Sequence, residues 1–134
     1  MRWLGASGYR SRGGITMTQV CTTIEQSKRL LELGISSDTA DMFYPLGSSF
    51  PEVCDNEDNL QADCPAWSLG ALIGLLPSEL KSRNRKKYFK LEHERVSYFD
   101  KDEIYGFSFY VENNLFDACV SMIERLVKHK NIKV

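Results

Sequence analysis

The chain has 134 residues, one domain's worth of sequence by the usual size range. Hydrophobic residues at 43 % and charged residues at 26 % are ordinary globular values, which excludes global disorder, collagen and a disulfide scaffold. A net charge of −1 excludes a strongly basic nucleic-acid binder, and the longest apolar run, residues 66–76, falls well short of the roughly 20 needed to cross a bilayer, so a soluble, cytoplasmic protein without a membrane partner is expected.

Residues 1–16 are rich in glycine and arginine, hold no acid and show no apolar periodicity. They are expected to be a disordered tail. Met17 makes an upstream start codon or a cloning remnant a plainer account of it than a nucleic-acid arm, and the apolar stretch of a secretory signal is missing. Residues 17–134 are expected to form a single α+β domain; the tail carries +3, which leaves −4 on this part.

Within that domain, Thr22-Thr23-Ile24-Glu25 has the spacing of a capping box and marks a helix start. The helix ends at Leu33-Gly34-Ile35, where glycine suits a Schellman closure with Ile35 folded back on Leu30. Ser36-Ser37-Asp38 then predicts a short second helix through Met42, completing a helical hairpin. From 44 to 64 the pattern dissolves into Pro45, Gly47 and Pro51, followed by Glu52, Asp55, Glu57, Asp58 and Asp63 without a base, which predicts a long acidic loop. Pro65 suits the first turn of a further helix, whose buried stripe is Leu69, Leu72, Ile73 and Leu76 and whose stop is Pro77. Gly70 and Gly74 inside it predict another backbone packed close by.

Residues 81–90 carry six bases and no acid. Phe89, Leu91 and His93 then alternate with Tyr88, Lys90 and Glu92 as in a strand, and Tyr105, Phe107, Phe109 and Val111 alternate with Gly106, Ser108 and Tyr110 as in a clearer one. Asp100-Lys101-Asp102 reads as the turn between them, and Val96 to Phe99 as a third strand or as connection. Asn113-Asn114 caps a last helix whose apolar face is Leu115, Ala118, Cys119, Met122, Ile123 and Leu126, with Lys128, His129 and Lys130 at its negative end. The expected architecture is a helical N-terminal half, a two- or three-stranded antiparallel sheet, and a C-terminal helix packed on that sheet.

Reactive constellations are scarce. Cys21, Cys54, Cys64 and Cys119 contain no Cys-x-x-Cys pair, so no metal site is expected and the thiols are read as free, with Cys119 in the core. Phosphate-loop, dinucleotide and His-Glu-x-x-His motifs are missing, and no cofactor is expected. Asp55-Asn56-Glu57-Asp58-Asn59 lacks the glycine and the distal glutamate of a calcium loop. His93 and His129 belong to no nucleophile motif; only a spatial convergence of His93 with Asp100 or Asp102 would make a hydrolase, so no enzyme is expected.

Two features have a functional reading. Trp67, just ahead of its helix, is a candidate protein-contact residue, with a core plug as its plainer role. Arg83, Arg85, Lys86, Lys87, Tyr88 and Lys90 combine phosphate-neutralising charge with an aromatic stacking face, the pairing a nucleic-acid-binding module needs.

Finally, Thr23-Ile-Glu-Gln-Ser-Lys-Arg-Leu-Leu-Glu-Leu-Gly-Ile, continuing through Ser37-Asp-Thr-Ala-Asp-Met, together with Pro65-Ala-Trp-Ser-Leu-Gly-Ala-Leu and Leu115-Phe-Asp-Ala-Cys-Val-Ser-Met-Ile-Glu-Arg-Leu, resembles a group of small uncharacterised proteins carried by prophages and mobile elements of anaerobic gut bacteria. The resemblance implies an intracellular accessory protein and no mechanism, and it does not reach the basic run. The leading expectation is therefore a non-enzymatic interaction module with a protein partner, and the alternative is a weak nucleic-acid-binding module using residues 81–90.

Overall fold

The computed structural model describes residues 10–11, 14–15, 19–54, 64–82, 85–103 and 105–134. Most of the expected tail lies outside these residues; within it, β1 (Arg10–Ser11) pairs antiparallel with β2 (Gly14–Ile15). Arg83 and the acidic stretch 55–63 also lie outside them.

The first helix, α1 (Ile24–Glu32), is capped one residue later than its sequence suggests. Thr23 is the N-cap and Gln26, not Glu25, completes the box: Gln26 N–H donates to Thr23 Oγ1 at 3.1 Å, and Thr23 N–H donates to Gln26 Oε1 at 3.0 Å. Thr22 is displaced from that role because it is buried, its hydroxyl taken up by tertiary contacts. At the other end, Gly34 takes φ +94°, its N–H donates to the Leu31 carbonyl, and Ile35 N–H donates to that of Leu30, which is the Schellman closure expected.

Beyond this point the helical reading of the N-terminal half does not hold. Ser37–Thr39 forms a single 3-10 turn, and the chain extends at Ala40 into β3 (Met42–Tyr44). β3 pairs with β4 (Glu52–Val53) on one side and with β5 (Cys64–Ala66) on the other, so both flanks of the expected loop are strands. Pro65 sits in β5, an edge strand where its missing N–H costs no ladder bond, and not in a helix. The next helix, α2 (Leu69–Leu75), starts at Ser68, whose hydroxyl accepts from Ala71 N–H and is fixed by the Asp41 carboxylate. Its glycines do not face another backbone: a Cβ on Gly74 would meet nothing within 4 Å, and one on Gly70 only the Ser68 hydroxyl at 3.8 Å.

The second sheet has four strands where two or three were expected, in the order β6 (Glu79–Ser82), β7 (Arg85–Glu92), β8 (Arg95–Phe99), β9 (Gly106–Tyr110), all antiparallel. Side-chain alternation puts Leu80, Phe89, Val96, Tyr98, Phe107 and Phe109 on one face. The last helix, α3 (Leu115–Lys128), packs on that face, capped by Asn114, whose side chain accepts from Asp117 N–H. Seven of its residues are buried, a stripe wider than one contact needs, because α1 and α2 cover its far side. Tyr98, at the centre, meets Phe89 edge-on at 5.6 Å and Phe107 at 5.9 Å, and its hydroxyl donates to the Pro77 carbonyl at 2.6 Å. Burying each such large side chain contributes roughly 1.5–3 kcal/mol, so this layer dominates stability.

No helix among the described residues is long and apolar enough to cross a membrane.

Candidate nucleic-acid interface

Trp67 is 0 % exposed. Its indole N–H donates to Thr39 Oγ1 at 2.8 Å, its backbone N–H to Thr22 Oγ1 at 3.0 Å, and its carbonyl accepts from Thr22 N–H at 2.8 Å. As a protein-contact residue it is therefore replaced: its large apolar body fills the core, and both its donors are satisfied internally. Exposed large apolar side chains are found elsewhere, Leu46, Phe50 and Val53 among them at 85 %, 75 % and 66 % exposed.

The basic run is a β-hairpin, β6 to β7, and alternation divides its charges. Lys81 stands opposite Lys86 across the hairpin. Lys86, Tyr88 and Lys90 point to the open face of the sheet, and Lys87 points with Phe89 to the face that carries α3. Lys87 Nζ lies 5.6 Å from the Phe107 ring centroid. Four of the candidate residues thus meet at or near one surface while Lys87 serves another.

A groove opens on that surface because β7 outruns β8. The β7–β8 ladder begins at Tyr88↔Phe99, and past Phe99 the chain swings into the turn at 100–103, so residues 85–87 keep only β6 as a neighbour. The space left is a groove of about 360 Å³ lined by Arg85, Lys86, Tyr88, Asp100, Lys101 and Asp102. A smaller recess of about 210 Å³ continues past Tyr88 to Phe99, Lys90 and Glu103. Tyr88 is 44 % exposed at the junction.

Charge in the groove is mixed. Arg85 Nη1 approaches Asp100 Oδ2 at 3.7 Å, and its guanidinium lies 3.8 Å from the Tyr105 ring centroid. Lys90 Nζ donates to Glu103 Oε1 at 3.0 Å, and this carboxylate pushes the Lys90 ammonium's pKa up. Lys86 and Lys101 have no carboxylate within ion-pair distance among the described residues. They are the cations left for a ligand. Lys101 is the member sequence reasoning passed over, since one lysine between two aspartates in a turn reads as solvated charge; only the folded groove, which both residues line, brings it to the same site as Lys86.

The remaining candidates are not brought together. His93 occupies the β7–β8 turn, exposed beside Glu94 at 3.3 Å, and the whole of β8 separates it from Asp100. No couple with Asp100 or Asp102 exists. The four cysteines are reduced, Cys21 and Cys119 buried, and no three of His, Cys, Asp and Glu gather in metal-binding fashion among the described residues. Burial raises the pKa of the Cys21 thiol, which lies 3.6 Å from the Tyr44 hydroxyl, and pushes that of Cys119 up to about 11. Neither is an activated nucleophile.

No family model matches the chain, and no curated protein or solved structure is significantly similar to it.

Proposed function

We propose that the chain is a non-enzymatic nucleic-acid-binding module that takes a single strand along the open side of β7. The observation that carries this reading is the groove beside Tyr88, which pairs an exposed ring with the ammonium groups of Lys86 and Lys101, neither of them in an ion pair among the described residues. A base stacks on the tyrosine face while the flanking phosphates meet the lysines, a combination that tolerates any sequence. Asp100, Asp102 and Glu103 keep affinity low and disfavour non-specific polyanions by like-charge repulsion. The resemblance to small prophage proteins suits such an accessory role in a cytoplasmic setting.

Fluorescence anisotropy of a labelled single-stranded DNA or RNA of mixed sequence at low salt tests it. Saturable binding that Lys86→Glu and Tyr88→Ala each abolish supports the reading; undetectable binding, or binding indifferent to both, overturns it. In that event the module is a protein-binding one, and Leu46, Phe50 and Val53 are the exposed apolar side chains that favour this second reading.

A further inference from the structure

On the opposite face of the same sheet, residues of the C-terminal end of α3 and of the hairpin border a second, open cavity of about 280 Å³, lined by Leu80, Lys81, Lys87, Phe107, Arg125, His129 and Asn131. We propose that this cavity is a phosphate-monoester site. Two permanent cations, Lys87 and Arg125, and an imidazole converge there, and among the described residues the lining holds no carboxylate. None of Lys81, Lys87 and Arg125 has an ion-pair partner among the described residues.

Two features separate this cluster from ordinary helix-end charge. The first is its origin: complementarity with the negative end of α3 accounts for Arg125 and His129, but Lys87 comes from a strand some 40 residues earlier, on the facing wall. That helix end is moreover already capped, since the His129, Lys130 and Asn131 N–H groups donate to the Arg125, Val127 and Leu126 carbonyls. The second is availability. The Arg125 guanidinium carbon lies over Phe107, 4.0 Å from the ring centroid, and Lys87 Nζ lies 5.6 Å from the same centroid. The ring contact takes up the positive charge without accepting a conventional hydrogen bond, and among the described residues no protein acceptor takes the Arg125 N–H donors. Arginine in this state offers the fork that a phosphoryl group accepts, with the Lys87 ammonium near the same ring.

Size sets the ligand class. The cavity lies just under the ~300 Å³ at which pockets for whole small molecules begin, so it holds a phosphoryl group and the first atoms attached to it. Leu80 and Phe107 supply an apolar wall for those atoms. A free sugar or nucleoside phosphate and the 5′-phosphate end of a nucleic-acid strand share this chemistry. The site is independent of the groove beside Tyr88, whose residues it does not use.

A heteronuclear NMR titration at low ionic strength tests the proposal, with inorganic phosphate as probe and chloride at matched ionic strength as control. Saturable shifts at Leu80, Lys87, Phe107, Arg125 and Asn131 are expected, weakened about tenfold by Arg125→Gln and by Lys87→Gln and unchanged by Lys86→Gln. The second variant keeps the test open should the first fail to fold. Shifts that never saturate, or that survive both substitutions in a folded protein, overturn the site. A parallel titration compares a 5′-phosphorylated trinucleotide with its 5′-hydroxyl form: preference for the former assigns the cavity to strand ends, and binding of phosphate without that preference assigns it to a small metabolite. Loss of oligonucleotide binding in Lys86→Glu, with phosphate shifts intact, separates this site from the groove.

Discussion

The ring of Phe99 lies across Gly106, its cross-strand partner on the open face of the four-stranded sheet, so closely that a Cβ there would collide with Phe99 Cδ1 and with the Tyr98 carbonyl oxygen. One of these obstacles is a ring that can turn; the other is backbone in the central strand. Gly106→Ala should therefore destabilise by about 1–3 kcal/mol, the usual cost of overpacking. Gly74→Ala should act oppositely, stabilising by about 0.5–1 kcal/mol, because its added methyl meets nothing and helix propensity alone decides. Urea unfolding of both variants checks the contrast in sign.

Thr22 and Thr23 are adjacent threonines with different work. Thr22 Oγ1 accepts from Trp67 N–H and lies 2.8 Å from Ser27 Oγ, both in the interior, whereas Thr23 Oγ1 caps α1 at the surface. Thr22→Val strands a buried N–H and should cost about 1–3 kcal/mol. Thr23→Ala should cost about 1 kcal/mol. Denaturant midpoints in the reverse order would remove Thr22 from the centre of this network.

What the chain displays locally, it displays well. The Gly34 closure, the Asn114 cap, the apolar stripe of α3 and the alternation of β9 all follow from residues within a few positions of one another, and each recurs in the structure. β3 and β5 were hidden because three-residue strands carry no measurable period and Pro65 speaks for a helix start; what makes them strands is pairing across some 20 residues. β6 and the start of β7 were hidden because lysine and arginine mask the alternation that their register obeys. The same limit governs the sites. The cations of 81–90 are visible in sequence, but their separation onto two faces, the approach of Lys101, and the arrival of Arg125 and His129 opposite Lys87 depend on tertiary geometry.

Burial sets a pH dependence. The Cys119 thiol, ordinarily ionising near 9.0, is pushed up to about 11 in the folded chain. The fold thus favours the protonated thiol, and the stabilisation this provides is complete below pH 9 and lost as pH rises towards 11. Between pH 8 and 10.5 the loss amounts to about 2 kcal/mol. Tyr44 and Tyr98, whose pKa values burial also raises, contribute in the same direction. Comparing wild type with Cys119→Ala at the two pH values cancels the tyrosines; the wild type should lose about 2 kcal/mol more.

If two to three phosphates are met by Lys86, Lys101 and their neighbours, the logarithm of single-strand affinity should fall with the logarithm of salt at a slope of about −1.5 to −2. Lys86→Gln should lower the magnitude of that slope by roughly 0.7, whereas Tyr88→Ala should weaken binding at every salt concentration by about 1–3 kcal/mol and leave the slope in place. Anisotropy titrations across a salt series distinguish the two signatures. A salt-independent affinity would point away from phosphate contacts altogether.

Arg29, on α1, reaches Asp117 at 3.3 Å and Glu124 at 3.5 Å on α3, and Gln26 joins the same aspartate at 3.1 Å. Some 90 residues of chain therefore lie between the halves of this clasp. During synthesis α1 leaves the ribosome long before the helix that holds it, and must wait unlatched while both sheets are made. Assembly of this domain is accordingly a late, collective event, slow by the standard of proteins whose neighbours in space are neighbours along the chain.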